Sequence, residues 1–323
     1  MLPLPFEGLR LVNAYVLADE SATILVDCGI HDPSAHRDHG WDEVAAALAA
    51  CSLQPHDIDV VAITHPHVDH YGMAGRLVDA TGCELWMHEG ATAELDVYRE
   101  PEAQSRQVRA LLEAHGIASD HLPELTAFED WRPYISSVVG ASSYLSDGDS
   151  FEAGDREWTI VHTPGHSPSH ICLWNERDRI LISGDHLLPS VTPHIDLGPR
   201  AEDPLGDYLS SLERIERLGP ELVLPGHGRP FDNGAERARA TLRHHERRLG
   251  AIVQVIRRET RTATEISDEI FGTALLDFQK RLAMGEALAH LEYLERRDEI
   301  ERRQRDDGVF VYTKRSRAGT ADE

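Results

Sequence analysis

The chain has 323 residues, 41% hydrophobic and 27% charged, a composition typical of a globular protein with one large and one small domain. No apolar run approaches the roughly 20 residues that a membrane-spanning helix needs. The N-terminal stretch MLPLPFEGLRLVNAYVL also lacks the basic and continuous apolar regions of a secretory signal. We therefore expect a cytoplasmic protein without a membrane segment.

The net charge of −24 is concentrated in the first part of the chain. Residues 1–235 contain 14 Arg, no Lys and 39 acidic residues, whereas residues 236–315 contain 17 basic and 15 acidic residues. An acidic body repels nucleic-acid phosphates at long range. The charge therefore counts against a nucleic-acid partner and favours a small-molecule substrate.

Short apolar runs, turn signals and helical stretches alternate over the first two-thirds of the chain. They predict strands at 11–18, 22–29, 59–65 and 83–88, with helices at 41–51 and 73–81. Residues 91–145 are helix-rich and acidic, and we interpret them as an insertion between strands. Strands resume at 156–166, 170–175 and 179–186, followed by a helix at 204–218 and a short strand at 221–228.

From residue 236 onward the composition changes to Arg-rich helices. The pattern predicts helices at 236–259, 262–271 and 282–303, the second with Thr262 as N-cap, and then a strand at 308–313. This order is typical of a winged-helix unit. Glutamates interleave with the arginines, which favours a salt-bridged exposed surface over a DNA-reading helix. We interpret His244 and His245 as part of that solvated face.

The domain prediction is a catalytic domain at 1–235, a small helical domain at 236–315 and a tail at 316–323. Homodimerisation through the small domain is a further hypothesis.

The stretch THPHVDH, residues 64 to 70, crowds four metal-ligand side chains into six positions: His65, His67, Asp69 and His70. It follows a predicted buried strand, and ligands bind outside the carboxyl ends of strands in α/β sheets. Imidazole and carboxylate groups suit zinc and similar dications. His65 and His67 share a tight loop while Asp69 and His70 project elsewhere, which favours two adjacent metals over one.

Three later motifs supply further ligands in matching positions. TPGHS offers His166, SGDH offers Asp185 and PGHG offers His227. Each follows a predicted strand and has a neighbouring glycine that permits a sharp turn. We expect all seven side chains to gather at one edge of the sheets.

Taken together and in this order, THPHVDH, TPGHS, SGD and PGHG resemble the motifs of the metallo-β-lactamase superfamily. The resemblance covers residues 1–235 and implies an αββα sandwich. It implies one metal held by His65, His67 and His166. It implies a second metal held by Asp69, His70 and His227, with Asp185 bridging the two. Asp27, in LVDCG, matches the family's early aspartate, which supports the site from outside the ligand shell.

Four residues receive roles other than holding a metal, and three of them lie outside the ligand set. Asp69 is the candidate catalytic residue, as an orienting group or proton acceptor for a metal-bridging hydroxide. His170 is expected to pack or hydrogen-bond beside the site. His194 and Tyr144 are candidate substrate-binding residues, with loop stabilisation and core packing as the alternative interpretations.

The favoured function is a binuclear metal-dependent hydrolase acting on a thioester, ester or lactone. Zinc is the expected metal, and iron or manganese would suit the same ligands. The alternative is an endoribonuclease of the β-lactamase-like type, which fits the domain order but not the charge. All seven ligand positions are intact, which argues against an inactive scaffold.

Overall fold

A computed structural model describes residues 1–5, 11–32, 39–117, 131–197 and 202–315. These residues form two compact units. Unit 1 comprises described residues within Met1–Gln104, Phe128–Pro193 and Asp207–Thr241, and unit 2 those within Ser105–Ala127, His194–Gly206 and Leu242–Glu323. Unit 2 thus recruits two segments from the first two-thirds of the chain. The predicted tail at 316–323 lies outside the described residues.

Unit 1 is built on two β-sheets. Its strands are β1 (Leu2–Pro3), β2 (Leu11–Val12), β3 (Tyr15–Ala18), β4 (Thr23–Val26), β5 (Val60–Ala62), β6 (Glu84–His88), β7 (Ser143–Leu145), β8 (Ser150–Ala153), β9 (Arg156–His162), β10 (Ile171–Asn175), β11 (Ile180–Gly184), β12 (Leu222–Pro225) and β13 (Phe231–Asp232). One sheet has the order β3-β4-β5-β6-β7 and the other β13-β12-β11-β10-β9-β8, while β1 pairs with β2. The sequence pattern did not predict β7 as a strand, because it lies inside the segment interpreted as a helical insertion.

The helices are α1 (His39–Ala49), α2 (Val68–Tyr71), α3 (Ala74–Thr81), α4 (Ala91–Glu94), α5 (Asp96–Arg99), α6 (Pro101–Ala114), α7 (Pro204–Leu218), α8 (Gly234–Arg258), α9 (Ala263–Phe271) and α10 (Asp277–Arg296). Helices α4 to α6 occupy the first part of the predicted insertion, within residues 91–114. Within the described residues, no helix combines the length and the apolar character needed to cross a bilayer.

The two sheets of unit 1 pack face to face, as strand β4 illustrates. Side chains of a strand alternate between the two faces of its sheet. Ile24 and Val26 therefore join a core cluster with Ile160 and Ile171 of the second sheet. Leu25, between them, points into another core cluster formed with residues of α1 and α3. This layering confirms the αββα sandwich.

Strand direction brings the site-bearing loops to one edge of the sandwich. Strands β4 and β5 are parallel neighbours, so the residues that follow them lie together. In the second sheet β10 is antiparallel to β9 and β11, and β12 is parallel to β11. The carboxyl ends of β9, β11 and β12 consequently point the same way, and three of the predicted metal-ligand motifs follow those ends.

Unit 2 packs α8, α9 and α10 with strands β14 (Arg261–Thr262), β15 (Ile300–Gln304) and β16 (Phe310–Lys314), in the sheet order β14-β16-β15. Its core includes Ile252, Leu288 and Tyr312. Thr262 caps α9 through a capping box with Glu265, as the sequence predicts.

Two expectations for this region are wrong. The helix predicted at 282–303 ends at Arg296, because Asp298 adopts a left-handed conformation and Ile300–Gln304 pairs antiparallel with β16. His245 is not on a solvated face: its side chain is fully buried. The element order agrees with a winged helix, which stays a prediction.

Candidate metal centre

One short helix and the ends of four strands of unit 1 present the predicted ligands. His65 and His67 lie in the extended segment after β5, and Asp69 and His70 lie in the first turn of α2, which has His67 as its N-cap residue. This change from extended chain to helix explains why the four side chains project in two directions. His166, Asp185 and His227 follow β9, β11 and β12.

The structure brings all seven side chains into one cluster. Three triads have ligand atoms within 4.8 Å of one another: His65, His67 and His166; His65, His70 and Asp185; and Asp69, His70 and His227. Asp185 faces both sides of the cluster, because its Oδ2 lies 3.7 Å from His166 Nε2 and 3.4 Å from His227 Nε2.

Hydrogen bonds orient three of the imidazoles toward the centre of the cluster. His70 Nδ1 donates to Asp27 Oδ2 at 2.7 Å, and His227 Nδ1 donates to the Leu11 carbonyl at 2.8 Å. Thr64 Oγ1 donates to Asp27 and lies 3.0 Å from His65 Nδ1, from which it accepts. Each contact leaves Nε2 as the atom directed inward, an arrangement typical of metal-bound histidines.

Asp27 and His170 lie where the sequence places them, beside the cluster. Asp27 has φ +59° and accepts hydrogen bonds from both the backbone N–H and the hydroxyl of Thr64. Such a left-handed conformation in a buried residue is retained where surrounding contacts hold it. His170 uses both ring nitrogens, accepting from the Asp185 N–H at Nε2 and lying 2.8 Å from Thr163 Oγ1 at Nδ1. His170 therefore positions Asp185.

Electrostatics separates the histidines into two groups. Burial and neighbouring imidazoles hold the pKa of His65 well below its usual range, and burial lowers that of His67 to about 3. Burial also opposes a charge on His70, but Asp27 and the other carboxylates outweigh it and raise its pKa well above the usual value. The carboxylates likewise outweigh burial at His227 and raise its pKa to about 10.

The residues fit divalent cations. Among the described residues, His70 Nε2 and Asp185 Oδ1 have no hydrogen bond of normal geometry although both atoms are buried, and they face each other at 3.5 Å. Buried polar atoms without partners cost free energy, and a coordinated cation would satisfy them. His/Asp sets of this kind suit zinc, iron or manganese.

Three side chains that hold the ligand loops were not among the residues predicted from the sequence. Glu94, on α4, accepts hydrogen bonds from Ser167 Oγ and Ser169 N, both at 2.8 Å. Tyr98, on α5, donates to the Pro66 carbonyl at 2.9 Å. Asn13 donates to the Pro225 and Gly228 carbonyls. Only Asn13 left a signal in the sequence, as a polar residue inside an apolar run.

The two candidate substrate residues take part in none of the hydrogen bonds described above. Tyr144, on β7, is 53% exposed, and its hydroxyl is 3.2 Å from Thr92 Oγ1. His194 belongs to unit 2, with its Nε2 4.0 Å from Asp196 Oδ2. Their roles in substrate binding stay predictions.

Two packed sheets with a buried His/Asp cluster at one edge define a protein of the metallohydrolase class. Comparison with protein families agrees: residues 8–227 match the metallo-beta-lactamase superfamily, and residues 249–315 match the metallo-beta-lactamase-like C-terminal domain. The chain therefore belongs to the metallo-β-lactamase superfamily.

Relatives of known sequence include hydrolases. The chain is 27% identical to the probable metallo-hydrolase YqjP of Bacillus subtilis, over 93% of this chain and 92% of the relative. It is 25% identical to an atrochrysone carboxyl ACP thioesterase of Aspergillus fumigatus, over 84% of this chain and 72% of the relative. A shorter match, 38% identical over 33% of this chain and 37% of the relative, is to the acyl-coenzyme A thioesterase MBLAC2 of Bos taurus.

Solved structures similar to this chain are also known, two of which match 97% of it. The metallo-beta-lactamase family protein TTHA1429 from Thermus thermophilus has a TM-score of 0.84 and 29% identity, covering 97% of both chains. A beta-lactamase domain protein from Burkholderia ambifaria has a TM-score of 0.80 and 32% identity, covering 97% of this chain and 90% of that one. TTHA1623 in a di-iron-bound form has a TM-score of 0.50 and 26% identity, covering 73% of this chain and 96% of that one.

Proposed function

We propose that this hydrolase holds two divalent cations and cleaves an acyl thioester, with esters and lactones as related substrates. The observation that carries the proposal is the presence of two separate ligand triads with Asp185 facing both. His65, His67 and His166 form one triad, while Asp69, His70 and His227 form another from different residues. Asp185 faces a histidine of each, His166 at 3.7 Å and His227 at 3.4 Å, which suits a carboxylate shared by two ions.

Two bound cations would supply a water ligand of near-neutral pKa and would polarise the substrate carbonyl. The chain's own residues hold the histidines in one orientation through Asp27, Thr64 and the Leu11 carbonyl. Burial alone would raise the pKa of Asp69, but His70 and His227 hold it at about 2. Asp69 Oδ2 also lies 3.1 Å from His227 Nε2, among the proposed ligands, which suits a carboxylate that accepts a hydrogen bond from a bound water and orients it.

Two observations support a thioester substrate. Two relatives are named as thioesterases, and their matches cover 84% and 33% of this chain. The excess of acidic residues in 1–235 also disfavours a polyanionic RNA. Zinc is the proposed metal, although a similar protein has been solved with two irons.

The test is thiol release from a panel of acyl-CoA and acyl-glutathione thioesters by zinc-loaded protein. We expect turnover by the wild type and a loss of at least about 100-fold in Asp69→Asn, because both orientation and ligation depend on that carboxylate. Asp79→Asn, an exposed aspartate on α3, is the matched control and should retain wild-type rates.

Metal analysis accompanies the rates. The seven-residue cluster of unit 1 should account for two equivalents, and His67→Ala should hold fewer than the wild type, whereas His56→Ala, at an exposed position, should keep the wild-type count. Release of thiol by thoroughly metal-free protein would refute the mechanism. Hydrolysis of RNA without thiol release would refute the substrate class and favour the endoribonuclease.

A further inference from the structure

A second cluster of ligand-type side chains lies within unit 2, between helices α8 and α10. It consists of His245 on α8 with Glu286 and His290 on α10, and we call it the helix-pair cluster. One ligand atom from each residue lies within 4.8 Å of the other two. The side chains of His245 and His290 are fully buried, and the cluster uses none of the residues of the metal centre in unit 1.

The spacing of the two histidines matches a metal site. His245 Nδ1 hydrogen-bonds to His290 Nε2 at 3.2 Å, and coordination by both nitrogens would require His245 to carry its proton on Nε2 instead. Two nitrogens bound tetrahedrally to zinc at about 2.0–2.1 Å are separated by roughly 3.3 Å. Glu286 and His290 are four residues apart on α10, so both side chains project from the same face of that helix.

The hydrogen bonding prepares His290 to coordinate. His290 Nδ1 donates to the Glu286 backbone carbonyl at 2.7 Å, so Nε2 carries the lone pair directed at His245. Anchoring of the other ring nitrogen on a carbonyl is characteristic of metal-bound histidines. Burial lowers the pKa of His245 to about 2 and that of His290 to about 4, so both rings are neutral, the form that binds metals.

Arg248 lies beside the helix-pair cluster and contacts one of its three ligand residues. Its guanidinium is ion-paired with Glu286 Oε1 and lies over the ring of Phe271. A ligating carboxylate is commonly held by such an outer hydrogen-bond donor, and Arg248 makes its hydrogen bond to Oε1 of Glu286. The positive charge of Arg248 nevertheless opposes a dication, so a metal here should bind more weakly than one surrounded by several carboxylates.

We propose that His245, Glu286 and His290 form a third zinc site, which links α8 to α10 within unit 2. With three protein ligands, the site leaves a fourth position for water. Its role is structural, because the ligands come from two helices whose apolar faces already share a core.

The test counts metal in the full-length protein after chelator stripping, reloading with zinc and removal of excess. Wild-type protein should hold one equivalent more than His290→Gln, and the loss should be the same in His245→Gln. His115→Gln is the matched control, because His115 is another buried histidine of unit 2, bonded to Tyr312. The control should retain the wild-type count. An equal count in wild type and folded His290→Gln would overturn the proposal.

A second measurement needs no variant and covers the case in which His290→Gln fails to fold. Peptide-resolved hydrogen exchange on wild-type protein should show zinc-dependent protection in 242–258 and 277–296. Absence of that protection would also overturn the proposal. Neither readout uses hydrolysis, so both are independent of the thioesterase assay.

Discussion

Gly226 shows how closely the loop after β12 approaches the metal centre. Its N–H donates to the Gly184 carbonyl at 2.6 Å, and its carbonyl accepts from the Asn13 N–H at 2.7 Å, so the backbone is held on both sides. A Cβ added here would lie 2.3 Å from Asp185 Oδ1 and 2.8 Å from His70 Cε1. In Gly226→Ala these two side chains must move, Asp185 by about 1 Å to reach ordinary van der Waals contact.

That displacement sets the size of the expected effect. A misplacement of about 1 Å in a reacting centre can cost about 100-fold in rate, and overpacking a rigid site typically costs about 1–3 kcal/mol of unfolding free energy. We expect weaker zinc binding, measured by competition with a chromophoric chelator, and about 100-fold lower kcat/KM.

The matched control is Gly140→Ala, whose added Cβ would meet nothing within 4 Å. It should leave metal affinity, rate and stability unchanged. If Gly226→Ala keeps the zinc affinity and turnover of the wild type, then Asp185 and His70 can move without loss of function, and the expected effect of the added Cβ is wrong.

Three other changes have defined outcomes. Asp27→Asn should weaken zinc binding by about 10–100-fold in the same chelator competition, because the Thr64 N–H and His70 Nδ1 donate to different oxygens of Asp27 and the NH2 group of Asn would face one of these two donors. Unchanged affinity would remove Asp27 from the site. Zinc binding to metal-free protein at pH 8 should release protons from His70 and His227, because the pKa values of both are raised, that of His227 to about 10. Zinc affinity should therefore fall as the pH falls. An indicator dye reports the proton release, and proton uptake or no change would contradict the raised pKa values of these two histidines. Gly250→Ala, exposed within α8 and free of contacts at the added Cβ, should raise the unfolding free energy by about 0.5–1 kcal/mol in urea denaturation, and a loss of stability would contradict the helix assignment.

The sequence determined the parts of this protein that depend on local chemistry. The bounds of α7 and the Thr262 cap agree with prediction, because helix periodicity and capping involve residues three or four positions apart. The ligand types and their positions after strands are also local properties. They predicted which side chains would meet, since strands running the same way end at the same edge of a sheet.

Tertiary structure decided what depends on distant partners. Residues 300–304 continue a helical pattern but pair with β16, since a strand forms where a neighbouring strand offers hydrogen bonds. His245 lies in an Arg-rich stretch and becomes buried because α10 supplies His290 against it, 45 positions away. Glu94 reaches Ser169 across 75 positions of sequence. No local pattern encodes these contacts, because each exists only when separate elements have packed together.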